Sequence, residues 1–194
     1  QVQRRIQQFA GARFFAPAPP TWQQITVEQL LAHSSGLLDY EDLIAPGTQA
    51  QLSDHDVLEL VRPHAEGYGA PGAAFRYSNT GYCLAALIVA QVADRPFAEV
   101  LRERIFAPLG MAGTQAGPPA ELRAYGHSRR GQGWARTDQS PTSATLGDGG
   151  IYSSVEDLAR WDAALASGRL LPSALMARVF APHTAAPGGE HYGL

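Results

Sequence analysis

The spacing of apolar residues along the chain predicts a series of short amphipathic helices. The first begins at Thr26, which forms a capping-box signal with Gln29, and we expect it to end at Gly36. The same signal pairs Ser53 with Asp56 at the start of a second apolar stripe. Both signals stand directly before apolar residues at helical spacing, so we predict a helix at each.

The apolar pattern continues through the middle and the end of the chain. Residues 82–93 are apolar on almost every side, which is typical of a helix buried in the middle of a helical layer. Pro96 suits the first turn of the next helix. We expect Ser153 to cap a further helix together with Glu156, and a last helix to begin near Pro172.

A different pattern begins at residue 123. Tyr125 and Trp134 flank the turn-forming residues 130–133 (RGQG), and this arrangement predicts a two-stranded hairpin. Helices with one short β-hairpin define the predicted fold class as mostly α.

The two ends of the chain are less regular than its middle. Residues 16–20 (APAPP) exclude a helix, because each proline fixes its own backbone and biases the residue before it. We therefore predict that residues 1–22 form a flexible arm and that residues 23–194 belong to one domain. Residues 191–194 carry no terminal signal, and we expect the chain to be a fragment of a larger protein.

Composition argues against several classes of function. A net charge of -3 and a pI near 6.1 leave no basic footprint for nucleic acid. The longest apolar stretch, residues 82–90, is far shorter than the roughly 20 residues that cross a bilayer. Cys83 is the only cysteine, and the six histidines have no zinc-site spacing, so we expect no metal and no cofactor.

Three weaker signals have local explanations. Gly67, Gly69 and Gly72 fit the pattern G-x-G-x-x-G, but a dinucleotide site needs a strand before that pattern and a helix after it. We interpret His33 as a donor to the last carbonyls of the first helix. The serines at 34–35 leave open a Ser-His-Asp triad with a distant histidine, although turn and cap formation explains them locally.

The run Tyr77-Ser78-Asn79 stands at the head of the apolar helix. Its simplest interpretation is that Ser78 or Asn79 caps the helix and that Tyr77 is a half-buried aromatic with a hydrated hydroxyl. Three residues alone do not separate this interpretation from a catalytic one.

Four segments that include this run follow one another along the chain: residues 25–37 (ITVEQLLAHSSGL), 75–82 (FRYSNTGY), 105–111 (IFAPLGM) and 149–161 (GGIYSSVEDLARW). In this order they resemble segments of the serine β-lactamase-related family, which includes class C β-lactamases, D-alanyl-D-alanine carboxypeptidases and related esterases. The resemblance implies the helical part of an α+β fold of the β-lactamase/transpeptidase type, whose α/β part carries a Ser-x-x-Lys nucleophile.

The resemblance also implies roles for individual residues. Tyr77 would transfer a proton to or from the nucleophilic serine, and Asn79 would hydrogen-bond the substrate amide or the lysine. Ser78, Gly149 and Gly150 would line the substrate cleft. The implied substrate is a small molecule or peptide, namely a β-lactam, a D-Ala peptide or an ester, cleaved through an acyl-enzyme.

One residue type that the family requires is missing. All fifteen cationic side chains are arginine, so no Ser-x-x-Lys motif exists in this chain. We also expect the family's Lys-Thr-Gly or His-x-Gly strand, which helps to bind the substrate, to be missing from it. We therefore expect the fragment to be inactive alone and to expose an apolar face that permits self-association. The alternative is a non-catalytic binding module on the same scaffold. The family suggests a bacterial periplasmic or secreted location, while the residues themselves indicate none.

Overall fold

The computed structural model describes residues 19–118 and 123–194. In these ranges the α-helices are α1 Val27–Leu31, α2 Asp54–Val61, α3 Thr80–Ala93, α4 Phe97–Leu101, α5 Val155–Ala166 and α6 Ser173–Val179. A π-turn at Arg102–Phe106 continues α4, and 3-10 turns lie at Pro20–Gln24, Tyr40–Leu43 and Pro187–Gly189. No described helix has both the length and the apolarity needed to cross a membrane.

The strands are short and pair only in twos within the described residues. The antiparallel pairs are β1 Gln115–Ala116 with β4 Ile151–Tyr152, β2 His127–Arg130 with β3 Gly133–Arg136, and β5 Thr184–Ala185 with β6 His191–Tyr192. The pair β2–β3 is the predicted hairpin, and its register places Arg129 opposite Trp134. The hairpin prediction is confirmed.

The first two helices begin where the capping boxes predict. The Thr26 hydroxyl accepts from the backbone N–H of Gln29, and the Gln29 side chain accepts from the Thr26 N–H. Ser53 and Asp56 make the same reciprocal pair at α2. Each box satisfies two of the backbone donors that a helix start leaves free, so local chemistry decides both starts.

Two predicted helix boundaries are wrong. Helix α1 ends at Leu31 and not at Gly36, because His33 already adopts the left-handed conformation (φ 51°). The cap of α5 is Ser154, not Ser153, and its hydroxyl accepts from the Asp157 N–H. The Asp157 carboxylate accepts hydrogen bonds from the Gly113 N–H and the Thr114 hydroxyl, so it joins α5 to the segment that precedes β1.

Helix α3 is the centre of the larger hydrophobic cluster and packs against α1, α2 and α4. Cys83 and Leu84 are fully buried on its inner side, and burial raises the pKa of the Cys83 thiol. Val89 and Val92 are 39% and 57% exposed. The prediction that this helix is buried on almost every side is therefore wrong near its C-terminal end.

The start of the described chain is anchored. Trp22 is only 2% exposed and belongs to the same cluster as α3. The predicted flexible arm, residues 1–22, lies mostly outside the described residues, but its described end packs onto the domain.

Candidate active site

The Tyr77 loop joins an extended segment to the N-terminus of α3. Asn79 occupies the N-cap position but makes no side-chain capping bond. Its Nδ2 instead donates to Glu41 Oε1 at 2.8 Å, and its backbone N–H lies 3.4 Å from Asp39 Oδ2. The capping interpretation therefore does not account for the Asn79 side chain, which lies at the surface beside two carboxylates.

Ser78 has a structural position. It is 2% exposed, and its hydroxyl donates to the Leu38 carbonyl at 3.2 Å. The adjacent Thr80 hydroxyl donates to the same carbonyl at 2.7 Å. The two hydroxyls attach the loop to residue 38, so the Ser78 side chain is directed into the protein, whereas its predicted place was in the substrate cleft.

Tyr77 presents its side chain to solvent. The residue is 52% exposed, its ring lies on the imidazole of His33, and its hydroxyl has no hydrogen bond among the described residues. Partial burial raises the pKa of the Tyr77 phenol, and the nearby Tyr192, Asp39 and Asp148 raise it further. The phenol is therefore protonated at neutral pH, because its usual pKa is already about 10.

Three carboxylates lie near the loop, and none of them forms an ion pair with another described residue. Asp39, Glu41 and Asp148 all raise the pKa of Tyr77. Arg76, the nearest cation in sequence, places its guanidinium over the ring of Tyr68 at 4.6 Å.

The glycine-rich loop at 147–150 lies against the start of α3. The carboxylate of Asp54 accepts from the N–H groups of Leu146 and Gly147. Asp148 accepts from the buried Tyr40 hydroxyl at 2.8 Å. These bonds hold the loop where the Asp148 carboxylate raises the pKa of Tyr77. The local sequence pattern did not indicate Asp54 or Asp148, because each contacts residues far away along the chain.

The predicted cleft glycines occupy different environments. Gly150 has φ 66°, and a Cβ there would meet the Thr145 carbonyl oxygen at 2.7 Å. A Cβ on Gly149 would meet nothing within 4 Å. The closest approach is at Gly147, where a Cβ would lie 2.3 Å from the Tyr82 carbonyl oxygen. Glycine is sterically required at 147 and 150, and the cleft-lining role of 149 and 150 stays a prediction.

The weaker sequence signals have structural explanations. Tyr68 N–H donates to the Gly36 carbonyl and Gly72 N–H to the Ser34 carbonyl, both at 2.7 Å. A Cβ at Gly67 would lie 2.2 Å from the Gly36 oxygen, so close backbone packing accounts for the glycine at 67, whereas a Cβ at Gly69 would meet nothing within 4 Å. Ser34 and Ser35 are buried, and among the described hydrogen bonds neither hydroxyl meets a histidine.

His33 differs from its predicted role as a donor at the end of α1. Its side chain is 1% exposed, and Nδ1 accepts from the Ser78 N–H at 3.2 Å. Burial lowers its pKa, so the imidazole is neutral at pH 7. Across the described ranges, no three His, Cys, Asp or Glu side chains are placed to hold a metal ion.

Comparison with known proteins shows the family to which the chain belongs. The Beta-lactamase family model matches residues 2–190, and the chain belongs to this family. Penicillin-binding protein 4* of Bacillus subtilis (strain 168) is 27% identical over 179 residues, which are 83% of this chain and 40% of that protein.

Two solved structures share the fold. A penicillin binding protein from Bacillus halodurans superposes with a TM-score of 0.81 and 27% identity, over 99% of this chain and 61% of that one. The D-amino acid amidase from Ochrobactrum anthropi SV3, complexed with L-phenylalanine amide, gives a TM-score of 0.74 and 31% identity, over 84% of this chain and 49% of that one. The chain thus has a β-lactamase/transpeptidase-like fold and spans about half the length of these relatives.

Proposed function

We propose that this chain is the helical wall of the active site of a serine hydrolase that acts by acyl transfer. The observation that carries the proposal is the side-chain arrangement at the start of α3. Tyr77 and Asn79 both present polar groups outward, while Ser78 between them is fixed inside. A loop that served only to begin the helix would use the Asn79 side chain as a cap.

Tyr77 is the proton-transfer group in this proposal. When the serine of an adjoining Ser-x-x-Lys motif attacks the substrate carbonyl, its hydroxyl proton passes to the Tyr77 oxygen as the new C–O bond forms. The proton then goes to the leaving amine or alcohol as the C–N or C–O bond breaks. Burial and neighbouring carboxylates raise the pKa of Tyr77, so the lysine ammonium must supply the opposing charge.

Asn79 is the substrate-orienting group. Its Nδ2 carries two hydrogens, of which one binds Glu41 Oε1. The second hydrogen is directed away from that bond and can be donated to a substrate carbonyl. Glu41 therefore fixes the amide orientation that this role requires.

An amide is the substrate class that the relatives support. One of the two solved relatives is a D-amino acid amidase and the other is a penicillin binding protein. We propose amide cleavage on a β-lactam, a D-Ala peptide or a D-amino acid amide, with ester cleavage as a side activity. The shape of the opposite wall of the cleft selects among these substrates, because selectivity depends on contacts that the helical wall does not make alone.

We further propose that the chain is inactive without the opposite wall. Incubation with a fluorescent penicillin or an activated ester should leave Ser34, Ser35 and Ser78 unlabelled in intact-mass and peptide spectra. A covalent adduct at any of these serines would overturn the proposal of inactivity.

Sequencing the gene upstream of the codon for Gln1 and downstream of the codon for Leu194 tests directly whether this chain is one wall of a larger active site. We expect Ser-x-x-Lys on the N-terminal side and Lys-Thr-Gly or His-x-Gly on the C-terminal side. If both are present, Tyr77→Phe in the longer protein should lower kcat for acylation, with KM nearly unchanged. A start and a stop codon at the present ends would contradict the assignment.

A binding module without chemistry is the second candidate, and one observation favours it. An apolar groove of about 340 Å³ lies open between the α4 region and α5, lined by Leu101, Ile105, Met111, Leu158 and Trp161 among others. Ile151 and Leu158, which line this groove, are 50% and 55% exposed. This function requires self-association or a stable partner, and a monodisperse monomer that binds no hydrophobic dye would count against it.

A further inference from the structure

His33 contacts three successive residues of the Tyr77 loop. The Arg76 N–H donates to the His33 carbonyl at 2.8 Å, and the Ser78 N–H donates to Nδ1 of the imidazole at 3.2 Å. Between these bonds, the Tyr77 ring lies over the imidazole with centroids 4.2 Å apart and planes tilted by 31°. One residue thus fixes the backbone on both sides of Tyr77 and the ring of Tyr77 itself.

The imidazole is held in one protonation state by its surroundings. Nδ1 accepts a hydrogen bond, so in the neutral ring the proton is on Nε2. Phe75, Tyr82 and Tyr192 surround the ring at centroid distances of 5.8, 5.3 and 4.7 Å. These aromatic neighbours leave no water at Nδ1 to replace the Ser78 N–H, since the side chain is 1% exposed.

The backbone of His33 is also specialised. Its φ of 51° places it in the left-handed region, which residues other than glycine adopt infrequently, although histidine, asparagine and aspartate do so more often than the rest. Such a conformation persists where the surrounding contacts impose it. Here it turns the chain out of α1 so that both the carbonyl and the imidazole of His33 face the Tyr77 loop.

We propose that His33 is the positioning residue for Tyr77, and that its neutral imidazole sets the position of the phenol and of the adjoining Asn79 in the active site. His33 acts through the loop and does not touch substrate. The catalytic meaning of this inference rests on the proposed function, whereas the structural coupling between His33 and the loop does not.

Protonation of His33 would reverse the key contact. A protonated imidazole carries a hydrogen on Nδ1, which would then face the Ser78 N–H, a second donor. The titratable groups packed against the ring are the phenols of Tyr77, Tyr82 and Tyr192. Burial raises the pKa of Tyr77 and of Tyr82, so neither is ionised during an acid titration. Asp39, Glu41 and Asp148 also carry charge beside the loop, and burial raises the pKa of Asp39. A response of the loop is therefore assigned to His33 only where its midpoint matches that of the His33 imidazole.

Two substitutions separate the contributions of the ring and of the acceptor. In His33→Asn the amide oxygen replaces Nδ1 as acceptor, and asparagine tolerates the left-handed backbone, but the ring is lost. In His33→Phe the ring remains and the acceptor is lost. His64→Asn, at an exposed histidine outside the loop, is the matched control.

Amide hydrogen exchange and tyrosine Cζ NMR signals of the full 194-residue chain give the readout. We expect the Ser78 amide to exchange about tenfold faster in His33→Phe and nearly as in the wild type in His33→Asn. The Tyr77 signal should move in His33→Asn and not in His64→Asn. Unchanged Ser78 exchange in His33→Phe together with an unmoved Tyr77 signal in His33→Asn would overturn the inference.

Acid titration of the wild-type chain keeps the test decisive if a variant fails to fold. The Ser78 amide and the Tyr77 Cζ signals should move with the midpoint of the His33 Cε1 signal. Independent midpoints would refute the coupling. In a protein with a complete site, His33→Asn should lower kcat more than it changes KM; if Tyr77→Phe leaves kcat intact, the proposed function fails while the coupling measured by NMR still stands.

Discussion

Asn79 donates its side-chain amide to Glu41 at 2.8 Å, although it stands at the N-cap of α3. At the N-cap of α1 the hydroxyl of Thr26 does the opposite and binds the backbone of its own helix. The N-cap side chain thus stabilises α1, whereas the N-cap side chain of α3 makes no bond to its own helix.

This contrast predicts losses of stability of different size for two alanine substitutions. Thr26→Ala removes a cap and should lower the free energy of unfolding by about 1 kcal/mol. Asn79→Ala should change it by no more than about 0.5 kcal/mol, because only an exposed contact with Glu41 is lost. Urea denaturation of both variants measures the difference, and an equal loss for the two would contradict the interpretation of Asn79.

The glycine loop allows a comparison of neighbouring positions. Gly150→Ala should destabilise the chain by about 1–3 kcal/mol, because alanine is strained at φ 66° and its Cβ would collide with the Thr145 carbonyl. Gly149→Ala is the control and should cost less than about 1 kcal/mol, since its Cβ enters open space. Thermal unfolding of the pair checks this order, and a larger loss for Gly149→Ala would show that the loop is placed differently.

The buried carboxylate of Asp54 is predicted to hold the glycine loop. Asp54→Ala leaves the N–H groups of Leu146 and Gly147 without their acceptor and should cost about 2–4 kcal/mol. Asp54→Asn should cost less, because an amide oxygen in place of Oδ1 still accepts from both groups, and only the longer 3.3 Å contact of the Leu146 N–H with Oδ2 is lost. Chemical denaturation provides the values; the two variants would be equally destabilised if the backbone bonds were unimportant.

Stability should depend on pH through His33. Burial lowers the native pKa below the unfolded value of about 6.5, so the unfolded chain binds more protons at acid pH. The free energy of unfolding therefore falls as the pH drops from about 6.5 toward the lower native pKa, by up to about 1.4 kcal/mol per pH unit. Unfolding at a series of pH values from 7.5 to 5 measures this slope.

Comparison of the wild type with a variant that lacks His33 isolates the contribution of His33 to this pH dependence. Other groups also titrate in this range, but His33→Asn should remove the His33 contribution. A His33→Asn slope identical to that of the wild type would mean that the imidazole is not protected from protons.

The local elements of the fold were predictable from the sequence. The capping boxes at Thr26 and Ser53 and the turn at 130–133 depend on residues at most a few positions apart. Hydrogen bonds of that range form whenever the local backbone is helical or turned, so a local pattern is sufficient to predict them. The Tyr77-Ser78-Asn79 run was found for the same reason, as a contiguous motif at a helix start.

Tertiary structure alone decided how the motif is used. The Ser78 N–H meets His33 across 45 residues, and the Gly147 N–H meets Asp54 across 93 residues. Nothing in the local pattern indicated either contact, so His33 was assigned to the end of α1 and Asp54 to no site. The sequence by itself determined which residues could do chemistry, whereas packing of distant segments decided which of them are buried, which remain neutral and which lie at the surface, because burial and charge depend on neighbours that only the folded chain brings together.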